Sequence, residues 1–154
     1  MVCAPDRLAG LTRVADLSAP LSQVTQTILF TPAGERRGVY GNCLQSSIAS
    51  ALGLDLDAVP HFGAFTWWEP AVRLWLRGRG LDWRMVDGIP PGRSITVGTT
   101  VRGTGDHAVV GDGGEIAWDP HPTRTGLTVV KRSYVLEEWP GPEPSRCVCC
   151  GRPS

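Results

Sequence analysis

The chain has 154 residues, 42% of them hydrophobic and 19% charged, enough for one domain with its own core and too apolar for a disordered polypeptide. Fifteen basic residues balance fifteen acidic ones, which excludes the global field that draws proteins to nucleic acid or anionic membrane surfaces. No apolar run approaches the length of a membrane span. Asp6, Arg7, Arg13 and Asp16 interrupt the N-terminal stretch where a secretory core would lie, so a cytoplasmic protein with reduced thiols is expected. Fourteen of the basic residues are arginine and Lys131 is the only lysine, a bias expected of a GC-rich coding sequence. Five cysteines, an odd number, argue against a complete disulfide framework.

In chain order, residues 1–22 carry weak helical periodicity through Leu8, Leu11, Val14 and Leu17 and read as a loosely held arm. Val24 to Phe30 reads as a short strand, and Ala33 to Tyr40 as a polar loop. From Asn42 to Leu52 the positions Leu44, Ile48, Ala51 and Leu52 recur at helical spacing, with Asn42 as N-cap and Gly53 as the stop. Asp55 to Val59 fits one helical turn closed by Pro60. A second helix is predicted from a Thr66 cap through Trp67, Trp68, Val72, Trp75 and Leu76, with Pro70 tolerated in its first turn. Leu81–Val86, Ser94–Val101, His107–Gly111, Glu115–Trp118 and Leu127–Lys131 read as strands, and Asp112-Gly113-Gly114 as a hairpin turn. Helices followed by antiparallel strands predict an α+β fold. The expected organisation is an arm over 1–22, one domain over 23–139, and a Pro/Gly linker with a cysteine-bearing tail over 140–154.

The chemistry concentrates at Cys43. A thiol on the first turn of a helix meets the positive end of the helix dipole and unpaired N–H groups, which favour the nucleophilic thiolate. A lone cysteine is otherwise commonly a small buried hydrophobe. His107 opens a strand, and the hairpin brings Asp119 back to the same end of the sheet twelve residues later. Together they have the makings of a triad: nucleophile, base, and a carboxylate that orients the base. His61, beside Phe62 in a turn, reads as a packing or capping residue. His121 lies too close to Asp119 for both to enter one site as a dyad, and is assigned, with Asn42, to substrate contact. The Cys43 N–H is one oxyanion donor by position, and Gln26 is the candidate for the second, with Asn42 as the alternative. Trp67 and Trp68, with Trp75, are candidate groove walls as well as core residues. Cys147, Cys149 and Cys150 lack the paired spacing of ordinary structural zinc sites, so neither metal nor cofactor is assigned.

The block Gly41-Asn42-Cys43-Leu44-Gln45, continued by Ala49-Ser50-Ala51-Leu52-Gly53-Leu54 and Val59-Pro60-His61-Phe62, resembles small papain-like cysteine peptidase domains, many of them from phages or bacteria. His107-Ala108-Val109-Val110 and Asp119-Pro120-His121-Pro122 resemble the His and Asp blocks of the same group and of C39-like peptidases. The resemblance covers roughly residues 23–130. It implies a papain-like fold, with a helix carrying Cys packed on an antiparallel sheet carrying His and Asp, and a peptidase, isopeptidase or amidase acting on a peptide or protein. It also implies that Gln26 serves the oxyanion, although seventeen positions separate it from Cys43, so that Thr31–Gly38 must loop out. Two alternatives share the fold: a binding or accessory protein without turnover, and an acyltransferase with an amine as acceptor.

Overall fold

In the computed structural model, which describes residues 16–103 and 105–142, helices precede strands along the chain. Helix α1 spans Pro32–Glu35, α2 Cys43–Leu52 and α3 Trp68–Arg77, with single 3-10 turns at Leu56–Ala58 and Phe62–Ala64. Five strands follow: β1 (Leu81–Val86), β2 (Ser94–Thr99), β3 (His107–Asp112), β4 (Glu115–Trp118) and β5 (Val129–Glu138). They form one antiparallel sheet in the order β1-β5-β2-β3-β4, giving an α+β architecture. No helix among the described residues is long and apolar enough to cross a membrane.

Helix α2 occupies the predicted span, and Gly53 ends it in the left-handed conformation at φ 64°. Its apolar face, Leu44, Ile48, Ala51 and Leu52, packs on Ile95, Val97, Ala108 and Val110 of the sheet. Burying a side chain of the size of Ile48 contributes about 1.5–3 kcal/mol, so this face anchors the helix that begins at Cys43. The small residues of α2 allow close approach to the sheet, and the Ser47 hydroxyl donates to the Ala108 carbonyl at 3.0 Å. Helix α3 closes the other end of the core through Val72 and Leu76.

Four expectations need correction. Val24–Phe30 is not a strand. Its N–H groups find partners without a ladder: Val24 on Ser50 Oγ, Gln26 on the Pro120 carbonyl, and Thr27 and Ile28 both on Asn42 Oδ1. Part of the loop from Ala33 to Tyr40 is α1, capped by Thr31, whose hydroxyl accepts from the Gly34 N–H. Helix α3 starts after Trp67, not after a Thr66 cap. The last strand runs to Glu138, well beyond Lys131, with Tyr134 and Leu136 buried in the core and the Ser133 hydroxyl bonded to Thr96 Oγ1 and the Gly88 carbonyl. In the arm, Leu17 and Leu21 pack against the core. Residues 1–15 of the arm and the three tail cysteines lie outside the described residues.

The β3–β4 hairpin turns at Gly113 and Gly114, both at positive φ (63° and 85°), the geometry of a tight two-residue turn that follows the sheet's twist. Asp112 faces Glu115 and Gly111 faces Ile116, but the register then shifts, and Val110 faces Trp118. Continued from the turn, the unshifted register would set Asp119 across from Ala108, which points away from His107's side. The one-residue shift sets it across from Val109, on the side that alternation shares with His107.

Candidate active site

Cys43 is the first residue of α2 and is partly exposed. Its approach is tightly constrained: a Cβ on Gly41 would lie 2.9 Å from the Phe30 backbone nitrogen, so only glycine lets the two strands of this loop pass. The Asn42 N–H donates to the Ile28 carbonyl at 3.0 Å, which closes the excursion through α1. Thr31–Gly38 thus loops out, and Gln26 comes back to the same cleft as Cys43 despite its distance in sequence.

Asn42 occupies the N-cap position of α2 as expected, but its side chain serves neither cap, substrate nor oxyanion. Its side chain makes no cap bond to α2. It accepts from Thr27 and Ile28 N–H and donates to Thr27 Oγ1 and Gln45 Oε1, and the residue is only 1% exposed. With its donors and acceptor already engaged, Asn42 is a clamp between the Gln26 segment and the helix, with nothing left for substrate or oxyanion. The N–H groups at the start of α2 are therefore left without a side-chain cap, beside the sulfur.

His107 and Asp119 are both buried, and His107 Nε2 lies 2.7 Å from Asp119 Oδ1. The carboxylate also accepts from the His121 N–H on Oδ1 and the Gly126 N–H on Oδ2, both at 2.8 Å. Burial pushes the Asp119 pKa up, but the hydrogen bonds from His107, His121 and Gly126 win and bring it down to about 2. Burial likewise pushes His107 down. The hydrogen bond to Asp119 and the nearby Cys43 side chain outweigh it and raise the imidazole to about 9. With Nε2 on the carboxylate, Nδ1 is the ring nitrogen available to Cys43. The three predicted side chains therefore converge, with the imidazole between sulfur and carboxylate.

Gln26 is 6% exposed and lines this cleft. Its Nε2 donates to the Ile28 carbonyl at 3.0 Å, which leaves one amide hydrogen, while Oε1 is buried with no partner among the described residues. His121 packs edge-on against His107 with ring centroids 6.0 Å apart and also faces the cleft. Burial, then the positive charges of Arg102 and His107, push its pKa down, which favours the neutral ring. His61, at the margin, reaches the Tyr40 carbonyl through Nε2 at 3.1 Å.

Two clefts meet at Cys43 and His107. One, of about 360 Å³, runs toward Gln26, Arg102 and His121. The other, of about 230 Å³, runs toward Tyr40, Leu44 and Trp68. Trp68 is thus a wall of the second cleft, and it also packs edge-on against Trp83 and Tyr134. Trp67 is 77% exposed and lines neither cleft, so its expected place on a groove wall is not observed. Trp75 packs against Phe62 in the core. A further cleft of about 380 Å³ between α3 and β1 lacks a nucleophile, and its Arg73 and Arg77 are engaged by Asp82.

Arg124 was not legible from the sequence, where it sits in an ordinary-looking polar loop. It takes the left-handed conformation (φ 51°), an unfavourable one for a residue with a Cβ. In return, Nη1 donates to the carbonyls of Asp119 (2.5 Å) and His121 (3.0 Å), and Nη2 to Thr25 Oγ1 (2.6 Å). The guanidinium lies 3.9 Å over the Trp118 ring. One side chain thus ties the Asp119–His121 turn to the segment that carries Gln26. Comparison with protein-family models, with curated proteins and with solved structures returns no match, so a functional reading of this chain rests on the geometry of Cys43, His107 and Asp119.

Proposed function

We propose that the chain is a papain-like cysteine hydrolase that cleaves a peptide, isopeptide or other amide bond. The observation that carries the reading is one imidazole held at 2.7 Å by a buried carboxylate and sharing both clefts with a thiol on the first turn of a helix. Cys43 Sγ gives its proton to His107 Nδ1 and attacks the carbonyl carbon, forming the C–S bond and a tetrahedral oxyanion. The Cys43 N–H and the free Nε2 hydrogen of Gln26 stabilise that oxygen. His107 returns the proton to the leaving nitrogen as the C–N bond breaks, leaving a thioester. Water, deprotonated by the same ring, attacks the thioester carbon, the C–S bond breaks to release the carboxylic acid, and the Cys43 sulfur takes back the proton from the ring. Asp119 keeps the ring oriented and stabilises its charged form.

The test is site-resolved alkylation followed by mass spectrometry. Cys43 is expected to react with chloroacetamide at least tenfold faster than a free cysteine at pH 7, and His107→Ala is expected to remove that advantage. A Cys43 rate equal to that of free cysteine, or unchanged in His107→Ala, would sink the proposal.

A further inference from the structure

The two clefts that meet at Cys43 differ in charge. On the Tyr40–Trp68 side the guanidinium present, Arg132, is held by the Tyr134 hydroxyl at 2.8 Å and lies 3.9 Å from Glu69. On the Gln26 side, Arg102 has no carboxylate partner among the described residues. Its Nη1 donates to Thr123 Oγ1 at 3.1 Å and Thr125 Oγ1 at 2.9 Å, which fixes the plane of the guanidinium and leaves its other donors without a partner among the described residues. Thr123 holds His121 as well: its N–H donates to His121 Nδ1 at 3.1 Å, which places the ring's hydrogen on Nε2. Asp106 is the one carboxylate lining this cleft, and Lys131 Nζ neutralises it at 2.5 Å. His107 is matched by Asp119 at 2.7 Å, so Arg102 is the cationic side chain of this cleft without a carboxylate partner among the described residues.

We infer that the Gln26-side cleft is a carboxylate-binding subsite, with Arg102 as its charged anchor and His121 as a neutral donor beside it. The inference rests on the hydrolase reading for its place beside the scissile bond, and it narrows the substrate class to peptides or amides with an acidic group next to that bond. A planar guanidinium held at one nitrogen by two threonines is preorganised for a carboxylate, and the neutral partner keeps the second contact free of charge repulsion with Arg102. The carboxylate could be an acidic side chain or a free chain terminus, since both present the same two oxygens.

Three electrophiles separate these cases: N-chloroacetyl-glutamate amide (side-chain carboxylate), N-chloroacetyl-glutamine with a free α-carboxylate, and neutral N-chloroacetyl-glutamine amide. In each, Cys43 sulfur displaces chloride, and the rate at Cys43 is read by mass spectrometry. One anionic probe is expected to exceed the neutral one by about fivefold, and which of them does so identifies the source. The preference is expected to vanish in Arg102→Gln, persist in Arg102→Lys, and weaken in the unmodified protein as salt is raised. Equal rates for all three probes, or a preference that survives Arg102→Gln, would overturn the subsite. A neutral-probe rate no different from that of His107→Ala would overturn the hydrolase reading instead, and the ratio among probes would still report on Arg102.

Discussion

The two halves of the candidate site are built on opposite plans. On the hairpin side, Asp119 accepts three hydrogen bonds, His107 is held on its Nε2, and Arg124 clamps the backbone around both. On the helix side, the first turn of α2 has no side-chain cap, and Gln26 keeps one amide hydrogen free and its oxygen orphaned. The difference follows from the work each half would do. A group that must carry charge throughout a reaction benefits from being overdetermined, whereas groups that receive charge only in a transition state must be held nearby with donors still open. Stability and activity should therefore separate across the site.

The largest effect is expected on the hairpin side, where both should fall together. Asp119→Ala should lower kcat by about 10²–10⁴-fold by removing the partner that orients and charges the imidazole. In the unmodified protein the alkaline limb of kcat/KM should lie near pH 9, where His107 loses its proton. In Asp119→Ala that limb should move down, because the carboxylate is among the causes that raise it. The same variant should cost about 3 kcal/mol in stability, since one partner of a buried pair is removed. The pH dependence of that cost has a definite sign. His107 is raised from 6.5, so its contribution is complete below 6.5 and lost as pH rises through about 9. Asp119 is depressed from 3.8, so its contribution is complete above 3.8 and lost as pH falls through about 2. Denaturation measured across pH should show the widest gap between the two proteins from about pH 4 to 6.5. A gap independent of pH would contradict the charged pair.

On the helix side, Gln26→Leu should lower kcat by about 10²–10³-fold with little or no loss of stability. The Ile28 carbonyl that it releases still receives the Asn42 N–H, and the substitution removes a buried oxygen that has no partner among the described residues. A loss of stability as large as that of Asp119→Ala would erase the contrast between the halves. The smallest effect concerns the clamp. Arg124→Gly and Arg124→Ala both remove the guanidinium, but glycine fits φ 51° without strain, so the glycine variant should be more stable by about 1 kcal/mol. Paired urea titrations read that difference, and equal midpoints would deny the strain at this position.

Local signals made much of this legible in the sequence. Apolar spacing and Gly53 delimited α2, the paired glycines marked the hairpin, and the twelve residues from His107 to Asp119 implied that they meet. What stayed hidden depends on partners remote in the chain. Val24–Phe30 looks like a strand because its residue types suit one, yet side chains and a distant carbonyl take its hydrogen bonds, not a neighbouring strand. Asn42 carries the residue type of a helix cap but is recruited by Thr27 and Ile28. Beyond Lys131, Tyr134 and Leu136 do alternate into the core, but the polar pair Arg132-Ser133 interrupts the apolar run, and Ser133 is buried through hydroxyl contacts. Neither the register shift at Val110/Gly111 nor the role of Arg124 has any signature in composition or spacing.

Strand β5 has one more implication. Strands β1 and β2 follow one another in the chain but are joined in the sheet only through β5, the last element among the described residues. Without β5 the sheet would fall into two pieces, β1 alone and the ribbon β2-β3-β4 that bears His107.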